Sequence, residues 1–246
     1  MSLTPFSPAA DNLSAPSDPT KPVQGFDVGV RHFQALDASR EDISTGKRQF
    51  MVSVFYPAIF DKEAHCALFT DFLAPRTDEA LELLLASLDD TTKREAIGRL
   101  KSLTLGAQRD LKLRDGYPCP ILIYYPGGAS HRFSNAALCQ ELARSGFMVF
   151  TLDAPHDAPV VVFPSGEIVP FLPNNDEDYI WPRVTDVRFL LDQIDILNQT
   201  GDWAGLLDLE NIGMFGHSRG GYLSNICAVE DKRIKAAVNM DGFIWG

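Results

Sequence analysis

Ile212-Gly213-Met214-Phe215-Gly216-His217-Ser218-Arg219-Gly220-Gly221 is an apolar run that leads into G-x-S-x-G, and the stretch from there to Glu230 is compatible with a helix. The order is strand, tight turn, helix. On such a turn two backbones approach where a Cβ would not fit, which selects glycine. A serine at the apex is presented as a nucleophile above the edge of an α/β sheet. Average glycine and serine usage supplies a G-x-S-x-G to a chain of this length about once in ten, so the flanking strand and helix carry the reading. An ordinary glycine turn with an inert serine is the competing one.

Working outward, the pattern upstream is strand and helix in alternation. Residues 121–125 and 147–152 are short and apolar, a helix is expected around 135–145 and another after Pro182, and 234–240 forms the last strand. Nearly all-apolar strands between helices are what a parallel sheet covered on both faces requires. The fold class is therefore α/β, a mostly parallel, doubly wound sheet with helices on both faces. Between the strand at 147–152 and the next helix lies an excursion over 153–179 that includes Pro155, Pro159, Pro164, Pro170 and Pro173. At the carboxyl end of a strand, a loop of this length is expected to be a substrate lid.

The first half of the chain is read more coarsely. Residues 26–36 and 50–56 are expected to be strands joined by a turn-rich segment at 37–48, and a helical insertion spans about 61–113. There Ala80, Leu81, Leu84, Leu85 and Leu88 share one face, with Glu79, Glu82 and Asp89 off it. That face reads as core packing, with a lipid surface as the alternative. A second helix is expected from Thr91 or Thr92 to Leu103. Residues 1–24, rich in Pro, Ser, Thr, Asp and Asn, read as a disordered tail, leaving 25–246 as the domain.

Composition narrows the function. With 246 residues, 45% of them hydrophobic and 22% charged, the chain can bury one large core. A formal net charge of −11 disfavours binding to nucleic acid or an anionic membrane. No run of 18 apolar residues occurs, so no integral membrane segment is expected. The N-terminus lacks the basic and apolar regions of a signal peptide, and the expected residence is cytoplasmic. Cys66, Cys119, Cys139 and Cys227 have no C-x-x-C spacing and no histidines at zinc-like intervals. They read as reduced, mostly packed thiols, with two disulfides as the alternative that an even count permits, and neither metal nor other cofactor is expected.

If Ser218 is a nucleophile, the fold should also supply an oxyanion hole and an acid. One donor is the backbone N–H of the following residue, Arg219. The other is expected from Pro126-Gly127-Gly128-Ala129, directly after the strand at 121–125, with Gly128 the chosen N–H; a plain strand-ending turn is the alternative. Asp241 follows the strand at 234–240 and so emerges on the same sheet edge as Ser218. It is either the acid that orients a histidine or the start of an Asp241-Gly242 turn. The base is the gap: the chain has five histidines and none follows Ser218. His217 should point away from the hydroxyl. His156 lies at the functional edge and could line the pocket, His131 sits just past the glycine loop, and His32 and His65 look structural or exposed.

Most of 50–246 resembles the platelet-activating factor acetylhydrolase-like serine esterases of the α/β-hydrolase superfamily. Val54-Phe55-Tyr56-Pro57-Ala58 is similar to that family's W-Y-P-A strand end, Tyr125-Pro126-Gly127-Gly128 stands at its S-H-G loop, and D-A-P-H-D-A-P from Asp153 resembles its D-H-P-Y-D-A stretch. Asn239-Met240-Asp241-Gly242 resembles the strand end that carries the triad acid. The resemblance implies the α/β-hydrolase fold, Ser218 as nucleophile, Asp241 as acid, and Gly128 and Arg219 as oxyanion donors. Two departures stand out: Pro126 replaces a histidine of the loop, and the family's catalytic histidine lies beyond the acid.

The chain is therefore expected to be a fragment without the last two strands and the base. Loss of the histidine costs about 10⁶-fold in rate, roughly 8 kcal/mol of barrier. Two functions compete at this point. One is a serine ester hydrolase acting on a small-molecule or lipid ester through an acyl-enzyme; the other is a non-catalytic relative that binds a partner. The motifs do not specify the acyl group, the leaving group or the oligomeric state.

Overall fold

The computed structural model describes residues 26–42, 45–116, 118–153, 155–172 and 180–243; the expected tail at 1–24 lies outside them. In chain order the elements are β1 (Asp27–Asp42), β2 (Gly46–Ala58), β3 (Cys66–Leu68), α1 (Thr77–Leu84), α2 (Asp90–Ser102), β4 (Thr104–Arg109), β5 (Cys119–Tyr125), α3 (Ala136–Arg144) and β6 (Met148–Leu152). They continue with β7 (Val160–Val162), β8 (Ile168–Pro170), α4 (Ile180–Leu197), β9 (Leu207–His217), α5 (Arg219–Glu230) and β10 (Ile234–Met240). Eight strands form one sheet in the order β10-β9-β5-β6-β2-β1-β4-β3. From β10 to β6 every pair is parallel, whereas β2 runs antiparallel to both β6 and β1.

The two-residue period of the strands divides the core. Ile121, Ile123 and Tyr125 of β5 and Met148, Phe150 and Leu152 of β6 face α4 and α5, meeting Val187, Leu191 and Leu223. Tyr124, Val149 and Phe215 face the other way, toward Ala136, Cys139 and Ala143 of α3. Both faces are covered, so the strands can be apolar throughout. The fold is α/β, with the mostly parallel, helix-flanked sheet expected from the sequence.

Topology then locates a crevice. From β5 the chain passes through α3 to β6 on one side, and from β6 it returns through α4 to β9 on the other side of β5. Strand order reverses there, and in open α/β sheets ligands bind outside the carboxyl ends of the strands at such a point. Tyr125 pairs with Gly216 in the β5–β9 register, which brings the segments that follow these two residues side by side.

Three expectations need correction. The segment 37–48 is not mainly a turn: β1 runs to Asp42 and β2 starts at Gly46, with an irregularity between Asp37 and Glu41. Its charges look like a loop in sequence but pair with one another in the fold. Asp37 binds Arg40, Asp42 binds Arg48, and both arginines bind Asp186 of α4. The excursion is not an open lid over its described part, because Val160, Val161, Val162 and Phe163 are buried and β7 pairs with β8; residues 154 and 173–179 lie outside the described residues. Finally, the segment 61–113 carries β3 and β4 as well as α1 and α2, extending the sheet beyond β1. Ala80 and Leu81 of α1 are buried in the core, so that face packs inward.

Candidate active site

Ser218 stands between β9 and α5 with φ 53° and ψ −118°, a backbone conformation that costs a non-glycine residue about 1–3 kcal/mol and persists only when its surroundings enforce it. Those surroundings are visible. The Ser218 N–H donates to the Met240 carbonyl at 2.7 Å, and the Ser218 carbonyl accepts from the Tyr222 N–H at 3.1 Å. A Cβ on Gly216 would stand 2.8 Å from the Tyr125 carbonyl oxygen, and one on Gly220 would stand 2.6 Å from that of Pro126. On Gly221 it would lie 2.9 Å from the Gly216 oxygen. At each position a backbone atom lies within 3 Å of that Cβ, so each glycine of the turn is sterically required. The amino end of α5 begins at Arg219, which directs its partial positive charge at the serine.

The loop after β5 lies against this turn. A Cβ on Gly127 would be 3.4 Å from Ser218 Cβ and 3.3 Å from His217 Nδ1, so the His217 ring rests on the glycine loop. Gly128 is covered by the Arg219 side chain: its Cβ position is 2.5 Å from Arg219 Cζ. Gly128 and Arg219 are thus neighbours across the crevice. Ala129, at φ 53°, donates its N–H to the Asp157 carbonyl at 3.0 Å.

Asp241 follows β10 with φ 59°. Met240 on one side of it accepts from Ser218, and a Cβ on Gly242 would stand 2.7 Å from the Tyr222 nitrogen. The turn is tied by Asn239, whose Oδ1 accepts the Gly242 N–H at 2.7 Å and also lies against Gly221. The Asp241 backbone is therefore fixed beside the serine turn, with its side chain exposed.

Three of the other histidines have their own partners. His32 Nδ1 is 2.7 Å from Ser53 Oγ, and burial, with Arg132 and Arg109 nearby, lowers its pKa to about 3. His131 is buried and stacked on Phe133, with its pKa lowered chiefly by burial. His156 Nε2 is 3.2 Å from Asp42 Oδ1. His65 is exposed and precedes β3, at the far end of the sheet from β9.

The loop after β6 holds residues to which the sequence reading gave no role. Asp153 is fully buried, accepts the Arg132 N–H at 2.7 Å and forms an ion pair with the Arg132 guanidinium. Arg132 Nε also donates to Ser53 Oγ at 2.8 Å. Four residues on, Asp157 binds Arg219 and Arg183. Two aspartates flanking a strand-end loop, each matched by an arginine that follows a glycine turn, is the signal that could have found them. Cys139 and Cys227 are buried free thiols pushed up to about 12 by that burial. Among the described residues no metal-binding cluster occurs and no helix is long and apolar enough to cross a membrane.

A mostly parallel sheet with a strained serine on a strand-to-helix turn at its switch point defines the α/β-hydrolase fold. No family profile matches the chain. It is 31% identical, over 97% of its length, to a probable 1-alkyl-2-acetylglycerophosphocholine esterase of Arthroderma benhamiae. Among solved structures it superposes on a ferulic acid esterase from Streptomyces cinnamoneus with a TM-score of 0.72 and 28% identity, over 91% of the chain. The chain spans 61% of the length of each. Both are esterases by name, and the resemblance to platelet-activating factor acetylhydrolase-like enzymes extends along nearly the whole sequence.

Proposed function

We propose that the protein is a serine-dependent carboxylic ester hydrolase of the 1-alkyl-2-acetylglycerophosphocholine esterase type, with Ser218 as nucleophile. The observation that carries the reading is the backbone of Ser218, at φ 53° and ψ −118° and wedged by glycines that accept no side chain. Ser218 Oγ attacks the ester carbonyl carbon while a base takes its proton. The N–H groups of Gly128 and Arg219 hold the oxyanion, where preorganised donors act without reorganisation cost. Collapse expels the alcohol, which receives the proton, and leaves acyl-Ser218; water then releases the acid. Asp241 orients the base. The fungal relative's name supports a short acyl group on a lipid-like alcohol.

The base in this reading is an imidazole, and among the described residues no histidine ring is hydrogen-bonded to the Ser218 hydroxyl. A fluorophosphonate probe tests the nucleophile. Wild type should be labelled slowly, added imidazole should accelerate labelling, and Ser218→Ala should abolish it. Equal labelling of the two proteins would overturn the assignment. Failure of imidazole to accelerate labelling of wild type would overturn the account of the base.

A further inference from the structure

Arg219 enters the proposed site twice, once through its backbone N–H and once through its side chain. The guanidinium turns back over the glycine loop, so that a Cβ on Gly128 would stand 2.5, 2.7 and 2.8 Å from Cζ, Nη2 and Nη1. Its Nη1 donates to Asp157 Oδ1 at 2.5 Å. Asp157 is only 5% exposed, and its other oxygen accepts from Arg183 Nε of α4 at 3.3 Å. The same residue's carbonyl accepts the Ala129 N–H. One aspartate thus touches the serine turn through a side chain and the glycine loop through its backbone.

We propose that Arg219 and Asp157 form a clasp that sets the separation of the two oxyanion donors, the N–H groups of Gly128 and Arg219. Both side chains are positioning residues. The two donors sit on different strand ends, β5 and β9, and the strand register alone leaves the loop after β5 free to tilt. The clasp removes that freedom by joining the turn and α4 at the Asp157 carboxylate and the loop at the Asp157 carbonyl. It also accounts for glycine at 128, since a side chain there would displace the guanidinium. A misplacement of about 1 Å at a reacting group can cost about 10²-fold in rate, so the expected effect lies on the transition state. Removing Arg219 leaves Asp157 paired with Arg183, so the fold should survive; Asp157→Asn would weaken both pairs and is the harsher variant.

This proposal rests on Ser218 being the nucleophile, and the test separates the two. Arg219→Met and Arg219→Lys are compared with wild type for fluorophosphonate labelling and p-nitrophenyl acetate hydrolysis in the presence of imidazole. Amide hydrogen exchange is followed over 126–131. Arg219→Met should lower kcat and the labelling rate about 10- to 100-fold, leave KM within about twofold, and speed exchange over 126–131 with little change elsewhere. Arg219→Lys, which keeps the charge, should restore part of both. A raised KM at unchanged kcat would overturn the clasp and make the guanidinium a substrate anchor. Unchanged rates, or exchange identical to wild type, would also overturn it. No labelling of wild type would instead remove the nucleophile and the clasp's catalytic role with it, while exchange over 126–131 would still report whether the side chain holds the loop.

Discussion

Gly220 and Gly98 are the same residue in two regions built on different principles. At the serine turn a Cβ on Gly220 would meet the carbonyl oxygens of Tyr125 and Pro126, whereas at Gly98, inside α2, it would meet nothing within 4 Å. The turn is held by backbone against backbone, with no tolerance for a methyl group. The segment from β3 to β4 is held by side chains such as Ala80 and Leu81, and around them the chain runs through exposed positions. Where backbones touch, residue identity is dictated one position at a time; where side chains pack, only pattern is dictated.

The largest effect should come from closing that gap at the turn. Gly220→Ala forces β5 and α5 apart at two backbone carbonyls that cannot rotate away. Overpacking commonly costs about 1–3 kcal/mol, and more where the obstacle is rigid, so a loss of at least ~3 kcal/mol in a urea melt is expected. A change below about 1 kcal/mol would show that the turn has slack and would break the contrast.

The same contrast explains what was legible in the sequence. Strands β5 and β6 and the end of β9 lie between covered faces, so their runs are apolar and readable. The glycines at 216, 220 and 221 could be read because backbone atoms leave no room for a Cβ there. The extensions of β1 and β2 could not: Asp37, Arg40, Asp42 and Arg48 have the composition of a loop, and only their pairing with Asp186, far along the chain, makes them strand residues. β3 and β4 are short and pair non-locally, so no local period marks them. Asp153 and Asp157 lie in the stretch that resembles the family's D-H-P-Y-D-A, yet their roles depend on Arg132 and Arg219, which local spacing does not connect to them.

A joint between the two regions offers a smaller, pH-dependent effect. His32 of β1 bonds to Ser53, which also receives Arg132 from the end of the glycine loop, and its ring meets Phe72 edge-on at 4.8 Å. Burial, then Arg132 and Arg109, hold its pKa near 3 against 6.5 in the unfolded chain. The unfolded state therefore binds the extra proton. The neutral ring's contribution is complete above about pH 6.5 and is lost as pH falls toward about 3, at up to ~1.4 kcal/mol per pH unit. His32→Asn, whose amide oxygen can stand near the Nδ1 position, should be less stable at pH 8 but should flatten the slope between pH 6 and 4. Identical slopes in stability curves for the two proteins would assign the acid sensitivity elsewhere in the molecule.

The smallest effect has the opposite sign. Gly98 lies in the interior of α2, its φ is outside the left-handed region, and no neighbour stands where a methyl group would go. Glycine in such a place costs about 0.8–1.0 kcal/mol relative to alanine, mainly because the unfolded chain has more conformations to lose. Gly98→Ala should therefore stabilise by about 0.5–1 kcal/mol in the same urea melt, with the slope of the transition unchanged and the labelling rate of Ser218 unaffected. The result matters beyond its size because the substitution is chemically identical to the one at Gly220. A gain at 98 beside a loss at 220 would locate the difference in backbone contact. A loss at 98 would mean that α2 makes a close approach through a surface the described contacts do not include, and the segment from β3 to β4 would then share the constraint of the serine turn.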